Sequence, residues 1–464
     1  MTPLHNLSAA ELLAAYRART LSPVEVARAV LKHIGAWEPH LHATYALDAE
    51  ATLAQAEASQ ARWLKGQPLG ALDGVPAMIK ENIATAGVAI PLGSAASELR
   101  PAPRDAPPSA RLREAGAVIL GKTTMPDYGM LSSGLSSFHG LTRNPWDLRK
   151  NPGGSSSGAG AGMAAGYGAL HVGTDIGGSV RLPAGWCGVF TLKPSLGRIP
   201  IDPPYAGRVA GPMTRSVADA ALLMGVLSLP DPRDAMSLPY QDIAWTQLDR
   251  PLRGLKIGLL MDAGWGLAVE PEIRAAVEAA ASAFEAAGAI VEPLQPFITR
   301  AMAEGMDLFW RCRSWMDISA LSEARQASVL PFIRQWAQGG AGLSGQQVFH
   351  GYSQMGAMRD ASVRACQPFD MVLSPTAPIP AYEAELPCPT NDPARPFEHI
   401  AFTLPFNMSE QPAASINCGH TAAGLPIGLQ IVGRRFDDLG VLQVARAWER
   451  MRPAQRAWPR PPSA

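Results

Sequence analysis

The segment 152–183, PGGSSSGAGAGMAAGYGALHVGTDIGGSVRLP, gathers serine and glycine well beyond ordinary usage. Serine hydroxyls are the nucleophiles on offer, and flanking glycines would let an electrophile approach the backbone closely. Three chemistries compete for such a stretch. A phosphate-binding loop would present backbone N–H groups at a helix start, but the Gly-Lys-Ser/Thr ending of that pattern is absent. A dinucleotide fingerprint is met only by Gly160-x-Gly162-x-x-Ala165, and abundant glycine empties that match of meaning. Gly154-x-Ser156-x-Gly158 satisfies the nucleophile-elbow pattern formally, with His399 and His420 as the possible bases among nine histidines. A lone histidine is more often a hydrogen-bonded structural residue, so the elbow match is read as accidental.

The elements around this segment read as a layered α/β protein. Ser8 with Glu11, and Ser22 with Pro23 and Glu25, have the spacing of capped helix starts. Beyond residue 70, short apolar runs alternate with helical patterns. Ala117-Val118-Ile119-Leu120 follows a helical stretch at 110–114, and Ile257-Gly258-Leu259-Leu260 precedes an alanine-rich helix around 271–287. The stretch 299–366 reads as helical; its Phe309, Trp310, Trp315, Phe332 and Trp336 are assigned first to core and second to a cleft. The proline-rich stretch 376–398 reads as a surface loop after a strand at 370–374.

Composition narrows the function classes. Charged residues make up 17% of the 464 against an average near 25%, so the core should be large. Forty basic and forty acidic residues leave no net field to gather phosphates or anionic lipid, which argues against nucleic acid and membrane surfaces as partners. Five scattered cysteines (187, 312, 366, 388, 418) lack metal or disulfide spacing, which fits a cytoplasmic protein without a metal. Neither a secretory signal nor a spanning segment is expected, the longest apolar stretch, 158–172, being mostly glycine and alanine.

Longer blocks carry a resemblance. GVPAMIKEN at 74–82, LREAGAVILGKTTMPDYG at 112–129, TRNPWD at 142–147, PGGSSSG at 152–158 and GTDIGGSVRLPAGWCGVFTLKPSLGR at 173–198 follow one another as the blocks of the amidase signature family do. Weaker matches run through GPMTRSVADAALLM at 211–224 and GLPIGLQIVG at 424–433, and only 230–400 is poorly matched. The resemblance implies an α/β amidase signature fold, a large twisted mixed β-sheet with helices on both faces. It also implies one amidase domain over 1–464, with a signature core at about 70–225 and a variable helical region at about 299–366.

The same resemblance implies roles. Ser179 corresponds to the nucleophile, Ser155 to a proton relay on a cis peptide bond, and Lys80 to the base. An amide is a poor electrophile with a poor leaving group, so its hydrolysis needs an activated nucleophile, a proton for the amine and donors for the oxyanion. Lysine serves as base only when neutral, and burial favours that state. Lys80 closes the apolar run Val75-Pro76-Ala77-Met78-Ile79, which reads as a buried strand leading into a cleft. Glu81 would oppose this and is expected to face away. Backbone N–H groups of Ile176, Gly177, Gly178 and Ser179 are expected to hold the oxyanion. Asp175 and Arg181 are expected to brace the loop, and Thr174 to position one of the serines or merely to pack.

Tyr128, Met130, Ser132 and Thr174 are the expected substrate contacts, with the stretch 299–336 and the loop around Pro375-Thr376-Ala377-Pro378 shaping the pocket. The apolar character of these regions predicts a neutral, partly hydrophobic or aryl amide. Carbamate or ester cleavage by the same residues is an alternative, and so is service as the A component of a tRNA-dependent amidotransferase. No cofactor is expected, and oligomeric state is not legible.

Overall fold

The computed structural model describes residues 2–462. The strands are β1 (Thr44–Tyr45), β2 (Pro76–Lys80), β3 (Val118–Thr123), β4 (Leu135–Ser136), β5 (Gly140–Leu141), β6 (Leu170–Asp175), β7 (Phe190–Lys193), β8 (Val209–Thr214), β9 (Lys256–Leu259), β10 (Ile290–Pro293), β11 (Met371–Pro375), β12 (Ala413–His420) and β13 (Pro426–Gly433). Eleven of them form one sheet in the order β1-β3-β2-β6-β8-β7-β12-β13-β11-β9-β10, and β4 and β5 pair separately. The sheet is mixed. β3, β2 and β6 run parallel to one another, as do β11, β9 and β10, while the strands between are antiparallel.

Alternation of side chains along a strand gives the sheet two apolar faces. Met371 and Leu373 of β11, with Leu429 and Ile431 of β13, pack under the helices Pro271–Ala286 and Asp438–Met451, in one core with Pro23–Leu41 and Val217–Leu227. Val372 and Val432 point the other way, toward Arg300–Ser319, Pro331–Gln338 and Gly345–Cys366. The expected α/β sheet covered by helices on both faces is what the chain forms. Both N-terminal capping boxes are present, on Ser8 and Ser22.

The expected surface loop at 376–398 is a correction. The stretch contains no strand and enters a short 3-10 turn only at Glu398–Ile400, but Ala377, Ala381, Tyr382, Ala384 and Cys388 are buried in it. The Tyr382 hydroxyl donates to Ser132 O at 2.9 Å, and Asn151 N–H donates to Tyr382 O at 2.7 Å. Prolines there stiffen a coil that lies against the protein and satisfies its polar groups through side chains and local turns.

Candidate active site

β2 and β6 run parallel with Ile79 opposite Val172, so Lys80 and Thr174 emerge side by side at the carboxyl ends of neighbouring strands. Clefts of open α/β sheets form at such ends. Lys80 Nζ donates to Ser155 Oγ at 2.8 Å and to Thr174 Oγ1 at 3.1 Å, and Thr174 Oγ1 also accepts from Asn82 Nδ2 at 3.1 Å. Thr174 therefore holds the lysine amine that Ser155 also bonds, so it acts on Ser155 through Lys80. Ser155 follows a cis peptide bond from Gly154.

Ser156 does not behave as an elbow nucleophile. Its Oγ donates to Thr174 O at 3.1 Å inside the protein, and among the described residues no histidine is hydrogen-bonded to it. Its N–H donates to Ser179 O at 3.0 Å, which fastens the loop of Ser155 to the loop of Ser179. The helix Ser157–Ala165 that begins there is wholly buried, and Gly158 is needed because a Cβ would come within 2.2 Å of Ala43 O. Of the other possible bases, His399 lies buried against Trp186, and burial holds its ring down to about 3; His420 packs on Trp146.

The Ser179 loop is tied from within. Asp175 Oδ1 accepts from Gly178 N–H at 2.8 Å and Asp175 Oδ2 from Val180 N–H at 3.0 Å. Arg181 forks onto the same carboxylate at 3.0 and 3.1 Å and reaches Gln430 Oε1 and Thr403 O, each at 2.8 Å. Both partners of the pair are fully buried, so the bracing expected of them is what the geometry provides. Burial alone would raise the Asp175 carboxyl, but the Arg181 guanidinium outweighs it and holds the group well below the usual carboxylate range.

The same contacts distinguish the four N–H groups expected at the oxyanion. Gly178 N–H is already engaged by Asp175, and Gly178 itself adopts φ +129° with Thr403 Oγ1 2.5 Å from where a Cβ would sit. Among the described residues, the N–H groups of Ile176, Gly177 and Ser179 form no hydrogen bond and remain open to a ligand.

Lys80 is completely buried. Burial, seconded by the charge of Arg208, lowers its pKa from 10.5 to about 7, against the opposing pull of Asp175 and Glu81. Glu81 is turned elsewhere as expected, with its Oε2 2.5 Å from His139 Nε2. Lys122, equally buried and likewise lowered to about 7 by burial, donates to Ile83 O and to Thr85 Oγ1 instead.

Ser155, Thr174 and Ser179 open onto one cavity of about 830 Å³, together with Tyr128 and Met130. A narrower apolar pocket adjoins it, sharing Met130, Ile176 and Ser179 and closed by Ser132, Trp310, Phe397 and Ile400. All the expected contacts thus meet around Ser179. The loop Pro375–Pro378 does not join them: Thr376 Oγ1 bonds Ser415 Oγ at 2.8 Å within the protein.

The amidase family model matches residues 25–442 of this sequence. The chain belongs to the amidase signature family. With that membership it is an enzyme acting on amide C–N bonds. A curated relative, the A component of the glutamyl-tRNA(Gln) amidotransferase of Myxococcus xanthus (strain DK1622), is 36% identical over 96% of this chain and 97% of its own. Among solved structures, a bacterial aryl acylamidase of the amidase signature enzymes superposes with a TM-score of 0.90 at 30% identity, covering 98% of each chain. A 6-aminohexanoate cyclic dimer hydrolase superposes with a TM-score of 0.88 at 27% identity over 99% of each chain.

Within this amidase signature chain, all but one of the residues that sequence reasoning missed lie outside the family blocks. Asn82 falls inside a quoted block, but its tie to Thr174 depends on strand pairing. Phe397 and Ile400 come from the proline-rich coil, and Arg208 and Arg313 enter the cavity from a turn and from the helix Arg300–Ser319. An arginine in an otherwise apolar stretch, as Arg208 is in AGRVAGPM, was the only signal available.

Proposed function

We propose that this protein hydrolyses an amide through an acyl-enzyme on Ser179. The observation that carries the reading is Lys80 Nζ at 2.8 Å from Ser155 Oγ, buried and lowered to about 7, beside the cleft on which Ser179 opens. Neutral Lys80 takes the Ser155 proton as Ser155 takes that of Ser179, and Ser179 Oγ attacks the carbonyl. The open N–H groups of Ile176, Gly177 and Ser179 receive the oxyanion. The proton returns through Ser155 to the departing amine, and water, activated by the same relay, releases the acid. Carbamates and esters present the same carbonyl and are compatible with the same steps.

The apolar pocket of Trp310, Phe397 and Ile400 supports an aryl or aliphatic group on one side of the scissile bond, in keeping with the aryl acylamidase likeness. A second reading, the A component of a tRNA-dependent amidotransferase, has the stronger support from curated relatives, with the Myxococcus protein at 36% identity. All five cysteines are free, which supports a reducing cytoplasm for either.

Two measurements decide. Ser179→Ala should abolish labelling by a serine-directed fluorophosphonate, and undiminished labelling of that variant refutes the nucleophile. Turnover of simple aryl amides by the purified chain supports the stand-alone hydrolase; stable co-purification with two further proteins, with activity only in their presence, supports the amidotransferase.

A further inference from the structure

The larger cavity is not neutral. Arg208 precedes β8, and since Asp175 pairs with Val209 in antiparallel register, Arg208 lies across from Ile176 at the start of the Ser179 loop. It is half-buried and donates from Nη1 to Pro203 O at 3.0 Å, which uses one of its five N–H donors. Arg313 stands where this cavity meets the narrower pocket and lines both, its guanidinium 4.6 Å from the centre of the Tyr205 ring.

Among the described residues, neither arginine has a carboxylate within 4.0 Å. The acids of the wall are otherwise disposed: Asp202 pairs with Arg104 at 3.2 Å and Asp175 with Arg181 at 3.0 Å. Asp317, on the exposed rim one turn beyond Arg313, pairs with neither arginine. Burial lowers Arg208 to about 10, with Arg313 acting in the same sense against Asp202 and Asp234. A partly desolvated guanidinium without an anion is an unfavourable arrangement that a ligand carboxylate would complete, and its fork matches that group.

We propose that Arg208, assisted by Arg313, anchors an anionic group of the substrate, a carboxylate or its equivalent, in the large cavity while the apolar part of the substrate fills the pocket beneath Trp310. The inference rests on the acyl-transfer reading for the position of the scissile carbonyl, and it revises the expectation of a neutral substrate. The substrate class becomes a short amide with an apolar group on one side of the bond and an anion on the other.

The test compares kcat/KM for the 4-nitroanilides of glutaric acid, with its free carboxylate, and of valeric acid, its neutral counterpart. The wild-type ratio should favour the anionic substrate by about 10- to 100-fold, the range of one or two charge-assisted hydrogen bonds. R208Q should bring the ratio close to one, R208K should keep part of it, and R313Q, at an exposed position, should lower it less. Glutarate itself should bind the wild-type chain in calorimetry and bind R208Q at least tenfold more weakly. A wild-type ratio at or below one, or equal glutarate binding by wild type and R208Q, overturns the proposal. If neither anilide is cleaved and Ser179 resists labelling, it is the hydrolase reading that falls, and glutarate binding still decides the role of Arg208.

Discussion

Lys80 is fully buried, and a charge on its amine is disfavoured there. Two consequences follow from a pKa of about 7 against 10.5 for the exposed side chain. The first is kinetic. If the neutral amine is the active form, kcat/KM for a neutral amide should rise with unit slope as pH increases through about 7 and then level off. A midpoint left near 10 would mean that burial does not lower the Lys80 amine. The second is thermodynamic. Below about 7 both native and unfolded chains carry the proton and the native state bears the full penalty; between about 7 and 10.5 only the unfolded chain binds it, and the penalty fades. Lys80→Met should lower kcat/KM by about 10²- to 10⁴-fold. The same variant should raise the urea midpoint relative to wild type more at pH 6 than at pH 10. At this scale Lys80, Ser155 and Ser179 were legible because each sits at a fixed place in a sequence block. The engagement of Gly178 N–H was not, since it depends on the Asp175 side chain folding back over its own loop.

The short helix Arg181–Cys187 starts two residues after Ser179 and is held by its first residue. Arg181 spreads its donors over Asp175, Thr403, Gln430 and Asn407, joining the Ser179 loop to β13 and to the helix Leu404–Met408. Removing one partner of a buried pair leaves the other charge unpaired. Arg181→Met should therefore destabilise the protein by about 3–5 kcal/mol in urea unfolding. Asp175→Asn combined with Arg181→Met should recover part of that loss, because no buried charge then remains; a double variant no more stable than Arg181→Met would contradict the brace. Elements were legible where pattern and burial agree. β2, β3 and β9 appear as apolar runs, and the N-terminal helices announce their caps. The stretch 376–398 was misread because proline marks the absence of regular structure, whereas the burial of Tyr382 and the use of Phe397 in the pocket depend on what packs around them.

Across the whole molecule, ionisable groups are buried in numbers that local sequence does not reveal. Lys80, Lys122 and Lys193 are all lowered by burial to about 7, and burial lowers His5 and His171 to about 4 and His399 to about 3. Each is a base that the folded chain prefers neutral. Each therefore adds to the rise of stability with pH between its native value and its ordinary one, 6.5 for histidine and 10.5 for lysine. Asp219, lifted by burial to about 6, opposes this in the acid range, since above its ordinary 3.8 the unfolded chain has already lost the proton. At the alkaline end burial raises the thiols Cys366 and Cys418 to about 12, so above their ordinary 9 the unfolded chain releases protons that the native chain keeps. Buried Tyr16 and Tyr167, also raised by burial, act the same way above 10. The lysine contribution still grows where the thiol contribution begins to oppose it. The unfolding temperature should accordingly climb from pH 5 to pH 8, reach its maximum near pH 9, and fall by pH 11. Calorimetric scans across that range check this, and a maximum at or below pH 6 would mean that the buried lysines are charged and solvated in the native protein.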